Sequence, residues 1–524
     1  MKFKHLILFE MIYLILFFLL FSGFQYNIDP DATGYFSVAE HFANGDYFKS
    51  INGIWSPLSS WLVVPLIRAG FDPVLSVKCL NGFYGCLILG VFFVLLKKYV
   101  KDKRIAFWVN LTAIVLTLNF VYSRLFGDLL QLFLLLTYIN LVTGEGFVRS
   151  YVKIFWAAVL GGICFYAKAI TFYFILLHLP LVILILEKNE GIGFLTFRGF
   201  KKILLTIFIL VLMVAPWALA IKSKYGSYSL SNNSLTGLYS QLNPPNKILF
   251  YKPLYDDSYS VWDDLSYWNV STIKPFSNKD VIFFQIKVIF SNLKNLIGTF
   301  NNFSFVFITI FIASFVLCIK KKRISECNAK ILIILSAIVF WSALFSLLHI
   351  EARFMYVIAL LGLLLTGDVL TKEVVENLVT KRLFHIISII TILSFWVYPI
   401  DEIKNQFGDG EHIHKMAEAF KQKNITGNII SRNYDGNVMD KTVILNYLIK
   451  GKYYGPVLFD FTTDDILDAI EKYHIDYFVL YFNNNYQKDE ILYSIVAKKA
   501  TSVLENIYPN VIVLSFKNHE FKKN

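Results

Sequence analysis

The sequence predicts an α-helical polytopic membrane protein with about eleven transmembrane helices and a small C-terminal α/β domain. Three observations carry this. Hydrophobic residues make up 56% of the 524 positions and charged residues 17%, against roughly 45–50% and roughly 25% in soluble domains. Apolar runs close to span length recur along most of the first 400 residues, as in Leu6–Phe24, Leu80–Leu96 and Leu204–Ala220, and about 20 residues cross a hydrocarbon core. Beyond about residue 400 that pattern stops and polar residues return. A soluble fold is excluded, because so much apolar surface has to face lipid.

The expected spans lie at approximately 6–24, 76–96, 105–121, 126–143, 154–168, 170–186, 203–221, 300–319, 331–349, 354–370 and 383–399. With the N-terminus in the cytoplasm, the inner segments 1–5, 97–104, 144–153, 187–202, 320–330 and 372–382 hold 21 Lys and Arg in 61 residues. The outer loop 222–283 has six in 62, and the first outer loop 25–75 has two in 51. Basic residues collect on the cytoplasmic side of membrane proteins, so this asymmetry sets the orientation. It also accounts for the net charge of +12 without a nucleic-acid partner. The first apolar run lacks a small-x-small cleavage site and reads as an uncleaved first span. Five cysteines (Cys79, Cys86, Cys164, Cys318, Cys327) lie in or beside the spans, and none follows residue 327, so no disulfide framework staples the tail.

The expected organisation is a transmembrane domain over 1–399, with outer loops 25–75 and 222–283, and an extracytoplasmic α/β domain over 400–524. Ser56–Arg68 is too short to span easily and opens on Ser-Pro, which suits a helix at the interface. Segment 281–300 mixes Lys287, Lys294 and Asn residues into an apolar run and reads as another surface-lying helix. In the tail, helix-like stretches (His412–Gln422, Asp464–Lys472) alternate with short apolar runs (Asn428–Ser431, Tyr477–Tyr481, Val511–Leu514), an alternation expected of an α/β fold that forms apart from the spans. There is no internal repeat.

Several ionisable residues fall at the outer ends of spans. Asp29 and Asp31 follow the first span, where two carboxylates can serve as general base, metal ligand or interfacial solvation. Arg124 and Asp128 stand four apart, a spacing that pairs side chains on one helix face. Lys168 lies between two apolar segments, and Glu351 and Arg353 share the short outer turn His349-Ile-Glu-Ala-Arg353. Intramembrane charges cost roughly 2.5–3.5 kcal/mol on insertion scales and are usually paired or functional, although near an interface Lys and Arg can snorkel to water. His349, His412 and His414 read as interfacial or surface residues.

At these positions the sequence resembles the GT-C superfamily of polyprenyl-phosphate-dependent glycosyltransferases, which includes protein O-mannosyltransferases and lipid A aminoarabinose transferases. The resemblance runs over most of residues 1–370. Asp31, Tyr35 and Ala39 fit the first-loop pattern of an acid, a tyrosine four on and an alanine four further. Asn52-Gly-Ile-Trp-Ser-Pro-Leu-Ser-Ser-Trp61 resembles the family's glycine turn followed by Pro-Leu and an aromatic. Arg124 with Asp128, Lys168 after a glycine-bearing span, and Glu351-Ala-Arg-Phe354 opening a late span complete the set. Many members carry an acidic pair where this chain has Asp31-Ala32, and Lys-Pro-Pro-Leu where it has Trp55-Ser-Pro-Leu58; Lys49 is a candidate stand-in for that lysine.

The resemblance implies a GT-C-like arrangement of helices and an inverting sugar transfer outside the cytoplasm. Asp31, with Asp29, would be catalytic, and Tyr35, Trp55, Arg124, Asp128, Lys168, Glu351 and Arg353 would meet substrate. The donor is expected to be a polyprenyl-phosphate sugar, and the acceptor a lipid, glycan or protein, with membrane lipid around the spans. Cations can neutralise a monophosphate leaving group, so no cofactor is obligatory, while Asp29-x-Asp31 leaves room for a divalent cation such as Mg²⁺ or Mn²⁺. The rival reading is a transporter or lipid flippase for a glycolipid. Transporters commonly show related halves and midplane sites, whereas here the charges map to one rim.

Overall fold

Each of the eleven expected spans overlaps at least one helix in the structure, a computed structural model that describes residues 3–191, 196–232, 252–267, 278–319, 326–371, 381–433, 438–456, 463–481, 501–504 and 511–517. Of the segment 222–283, expected to be an outer loop, residues 233–251 and 268–277 lie outside the described residues. The chain divides into two compact units. The first comprises Met1–Gln25, Ser56–Leu238 and Thr272–Phe407; the second comprises Tyr26–Trp55, Tyr239–Ser271 and Gly408–Asn524.

The first unit is helical. Among the described residues nine helices are long and apolar enough to cross a membrane, and three more apolar helices, Asp128–Val142, Tyr151–Ala167 and Phe307–Ile319, are shorter. Segment 281–300, expected to lie on the surface, belongs to helix Lys279–Phe303, which is among the nine. Polar residues mark where these helices start. Asp72 accepts from Leu75 N at 2.8 Å and precedes Pro73 at the head of helix Pro73–Tyr99, while Lys97 and Lys98 sit in its last turn, where the helix dipole favours cations. Asp102 does the same for Lys103–Ser123, accepting from Arg104 N at 2.8 Å and Ile105 N at 2.9 Å.

Helix packing in this unit depends on close approach. Tyr13 of helix Phe3–Phe24 donates to Gly82 O at 3.0 Å, and its hydroxyl occupies the space that a Cβ on Gly85 would need. Only a residue without a side chain admits that ring, as at small-residue contacts between membrane helices. The opposite face of the same helix exposes Ile7, Met11, Ile15 and Phe18, the composition that lipid requires.

The second unit is α/β. Its sheet has the order β2-β1-β3-β5-β4, with β1 Asn428–Asn433, β2 Lys452–Pro456, β3 Tyr477–Tyr481, β4 Thr501–Leu504 and β5 Val511–Ser515. β1 is parallel to β2 and β3, and β5 is antiparallel to β3 and β4. Parallel neighbours need a crossover, supplied by helices Val438–Ile449 and Thr463–Lys472. Ile430, Ile466, Ile470, Phe478 and Leu514 form the core. The expected runs Asn428–Ser431, Tyr477–Tyr481 and Val511–Leu514 are thus strands of one sheet. The outer edge, β2, is not left open: Tyr453 N donates to Tyr259 O at 2.7 Å, and Ser260 bridges Tyr453.

Candidate active site

In the second unit the first-loop helix Pro30–Ala43 carries the acidic pair. Asp29 caps it: the buried Oδ1 accepts from Ala32 N at 3.1 Å, with Pro30 at the first helical position. Asp31 lies in the first turn, and its Oδ1 accepts from the Trp262 indole at 3.4 Å. One turn on, the Tyr35 ring sits 5.2 Å from that of Trp55. Trp55 donates to Trp262 O at 2.9 Å and lies so close to the helix that a Cβ on Gly34 would overlap its indole nitrogen. Asn52 turns the intervening chain, accepting from Ile54 N at 2.9 Å and Trp55 N at 3.0 Å while donating to Asp263 O at 2.7 Å. The structure therefore brings Asp31, Tyr35 and Trp55 together around Trp262.

Sequence reasoning does not single out Trp262 or its neighbours. Their segment is the one that runs along the β2 edge of the sheet through Tyr259 and Ser260. Asp263 is buried, and its Oδ2 accepts from Tyr259 N at 2.7 Å. Burial, with a smaller contribution from the charge of Glu40, pushes this carboxyl up to about 7, although hydrogen bonds from Tyr259, Ser37 and Ser260 pull the other way. The available signal is compositional, the run Trp262-Asp263-Asp264 in a loop between spans.

Among the described residues one group in this unit has metal-ligating chemistry. Donor atoms of His41, Asp46 and Asp257 lie within 4.8 Å of one another, with His41 Nδ1 3.7 Å from Asp257 Oδ2. Lys49, the candidate stand-in for a phosphate-binding lysine, reaches the same carboxylates, at 2.7 Å from Asp257 and 3.5 Å from Asp46. A mixed nitrogen and oxygen donor set fits a divalent ion, but such an ion would compete with this ammonium.

In the first unit the remaining candidates meet at helix ends. Arg124 closes helix Lys103–Ser123 in extended conformation, and Asn81 donates to its carbonyl at 3.0 Å and to Leu125 O at 2.9 Å. Gly127, at φ 76°, turns the chain, and Asp128 begins the next helix. Arg124 and Asp128 consequently do not share a helix face as their spacing predicts, because the helix breaks between them. Asp128 is 5% exposed and accepts from Lys168, which ends helix Tyr151–Ala167.

The Lys168 ammonium also lies 4.1 Å from the centroid of the Phe354 ring, and the Arg353 guanidinium lies 5.0 Å from it. Phe354 is fixed by stacking on Phe345 at 4.7 Å and by the Trp341 indole, which donates to its carbonyl at 2.7 Å. Glu351 pairs with Arg353, lying 2.6 Å from its Nε and accepting from its Nη2 at 3.4 Å, and lies 3.3 Å from His349 Nε2. Burial alone would raise the Glu351 carboxyl, but His349, Arg353 and Arg124 together bring it down to about 2. Asp128, Lys168, Glu351 and Arg353 thus form one cluster on an aromatic wall.

No model of a known protein family matches the sequence, and no curated protein does. Solved structures do match. ArnT from Cupriavidus metallidurans bound to undecaprenyl phosphate aligns with a TM-score of 0.59 at 12% identity, covering 98% of each chain. The Archaeoglobus fulgidus oligosaccharyltransferase in complex with Zn and sulfate aligns with a TM-score of 0.54 at 12% identity, covering 91% of this chain and 67% of that one. At such identities the likeness establishes the fold, which is GT-C-like over nearly the whole chain.

Proposed function

We propose that this chain, having a GT-C-like fold, is a membrane glycosyltransferase that moves a sugar from a polyprenyl-phosphate donor to an acceptor hydroxyl, with inversion, on the extracytoplasmic side. The observation that carries the reading is the pair of cations on Phe354. Lys168 and Arg353 flank one ring, each steadied by a carboxylate. Arg124, whose charge is felt at Glu351, adds a third cation near this ring, and cations gathered at helix ends suit a phosphate. Preorganised charge of this kind favours a leaving group whose negative charge grows in the transition state.

The reaction forms a bond between the acceptor oxygen and the anomeric carbon and breaks the bond from that carbon to the phosphate oxygen. Asp31 takes the hydroxyl proton, and the lipid phosphate departs with the bonding pair. Asp29 fixes the start of the helix that bears Asp31, and Tyr35 and Trp55 supply aromatic surface of the kind on which sugars rest. Asp128 and Glu351 hold Lys168 and Arg353 in place. This chemistry requires no cofactor. A divalent ion would add further charge neutralisation, and His41, Asp46 and Asp257 have the donors to hold one.

The test is direct. Purified protein in lipid, supplied with radiolabelled polyprenyl-phosphate sugars and extracted membrane acceptors, should yield a labelled lipid, glycan or protein. Movement of intact donor across the bilayer with no labelled product would instead establish a flippase.

A further inference from the structure

Two segments of the second unit, each far from Glu40 in sequence, converge on its carboxylate. Oε2 accepts from the Tyr259 hydroxyl at 2.7 Å, and Oε1 accepts from the Tyr447 hydroxyl and from Lys450 Nζ, each at 3.1 Å. Lys450 also donates to the Tyr259 hydroxyl at 2.8 Å, and its ammonium lies 4.5 Å from the Tyr259 ring centroid and 4.4 Å from that of Tyr447. The Tyr447 ring stacks on Phe36, one turn before Glu40, at 5.0 Å. Lys450 adopts a left-handed backbone, φ 56°, a conformation that costs energy for a residue with a side chain and persists only where its surroundings hold it.

We infer that Glu40 is a positioning residue, joining the C-terminal domain to the first-loop helix and thereby aiming Asp31. The route is continuous. Glu40 anchors the Tyr259 hydroxyl, Tyr259 lies three residues before Trp262, and Trp262 donates to Asp31. A second arm runs through the tail, because Tyr447 and Lys450 hold Glu40 from the end of helix Val438–Ile449. An exposed ion pair alone contributes little to stability, so the consequence lies in geometry: a small displacement of a reacting group lowers turnover steeply. The tail, on this account, works as part of the catalytic apparatus. The inference rests on Asp31 being the base.

Full-length protein reconstituted in lipid tests it with Glu40→Ala and Glu40→Gln. The glutamine oxygen still accepts from a tyrosine, so Glu40→Gln should keep turnover within about threefold of wild type, whereas Glu40→Ala should lose about tenfold or more in kcat with little change in KM for the lipid donor. Hydrogen exchange, which needs no activity, should show residues 30–43 and 259–267 loosened in Glu40→Ala and restored in Glu40→Gln. Wild-type kcat and exchange in Glu40→Ala, or equal losses in both variants, would overturn the inference. Were the wild-type protein inactive as a transferase, the proposed function would fail while the exchange comparison still decided whether the clamp exists.

Discussion

Lys168 and Asp128, at the end of one helix and the start of another, form an ion pair in which the carboxylate is almost wholly buried. The pair fixes the distance between two helix ends and presents one face of the ammonium to Phe354. Removing one partner from such a pair leaves the other charge desolvated, at a cost of about 3–5 kcal/mol, whereas removing both is far less damaging.

Asp128→Ala should therefore destabilise the protein by about 2–4 kcal/mol, with Lys168 exposure reducing the full buried-pair figure. The double variant Asp128→Ala/Lys168→Met should recover part of that loss. A double-mutant cycle on denaturant unfolding in detergent measures the coupling. Strictly additive losses would mean that the two side chains do not act as a pair.

Asp263 gives the second unit a dependence on pH whose sign is fixed. Its carboxyl is held up from 3.8 to about 7, so the folded state binds a proton that the unfolded chain has already released between those values. The stability contributed by the neutral carboxyl is full below about pH 4 and is lost as pH rises through 7. Hydrogen exchange over 259–267, corrected for intrinsic rates, should show this segment loosening between pH 5 and 8. Asp263→Asn should abolish that trend, since the amide stays neutral and its oxygen can still accept from Tyr259 N. A trend persisting in the variant would assign it to another group.

What is local in this fold is legible in the sequence. Spans stand out because lipid demands a continuous apolar run, and strands such as Tyr477–Tyr481 stand out because a short apolar run between polar segments has few other uses. Gly127 warns against placing Arg124 and Asp128 on one helix, a signal that spacing alone overlooks. The partners of Asp128 and Glu40 are not legible, because Lys168 is 40 positions from the first, and Tyr447 and Lys450 are 407 and 410 from the second. Trp262 is hidden for another reason: an aromatic in a polar loop carries no periodicity, so only the fold shows that it meets Asp31.

The side of the membrane on which the tail lies follows from the number of crossings, and Lys279–Phe303 makes that number consequential. Eleven crossings from a cytoplasmic N-terminus end outside, and one further crossing by this helix would reverse everything after it. A single cysteine at Lys423, an exposed position, in a chain lacking Cys79, Cys86, Cys164, Cys318 and Cys327, should react with a membrane-impermeant reagent on intact cells. Ser431 would be a poor choice, because it is buried against the Tyr453 hydroxyl at 2.8 Å. Labelling at 423 only after lysis would place the tail in the cytoplasm.

The chemical roles separate by substitution. Asp31→Asn keeps nearly the same volume and can still accept from Trp262, but it cannot take a proton, so turnover should fall by roughly 10²–10⁴ while donor binding changes little. Arg353→Ala removes a cation assigned to the phosphate of both donor and leaving group, and should weaken donor binding and turnover together. Asp29→Asn tests the cap against a metal role. The asparagine oxygen can still accept from Ala32 N, and Asn is as good a helix cap as Asp, so a capping Asp29 predicts a mild effect that added Mn²⁺ does not change. A severe loss partly rescued by millimolar Mn²⁺ would instead make Asp29 a ligand. Each variant should be reconstituted and assayed with saturating acceptor, with lipid-donor binding measured apart from product formation. Near-normal turnover in Asp31→Asn would remove Asp31 as the base and turn attention to Asp29, Asp128 or Glu351.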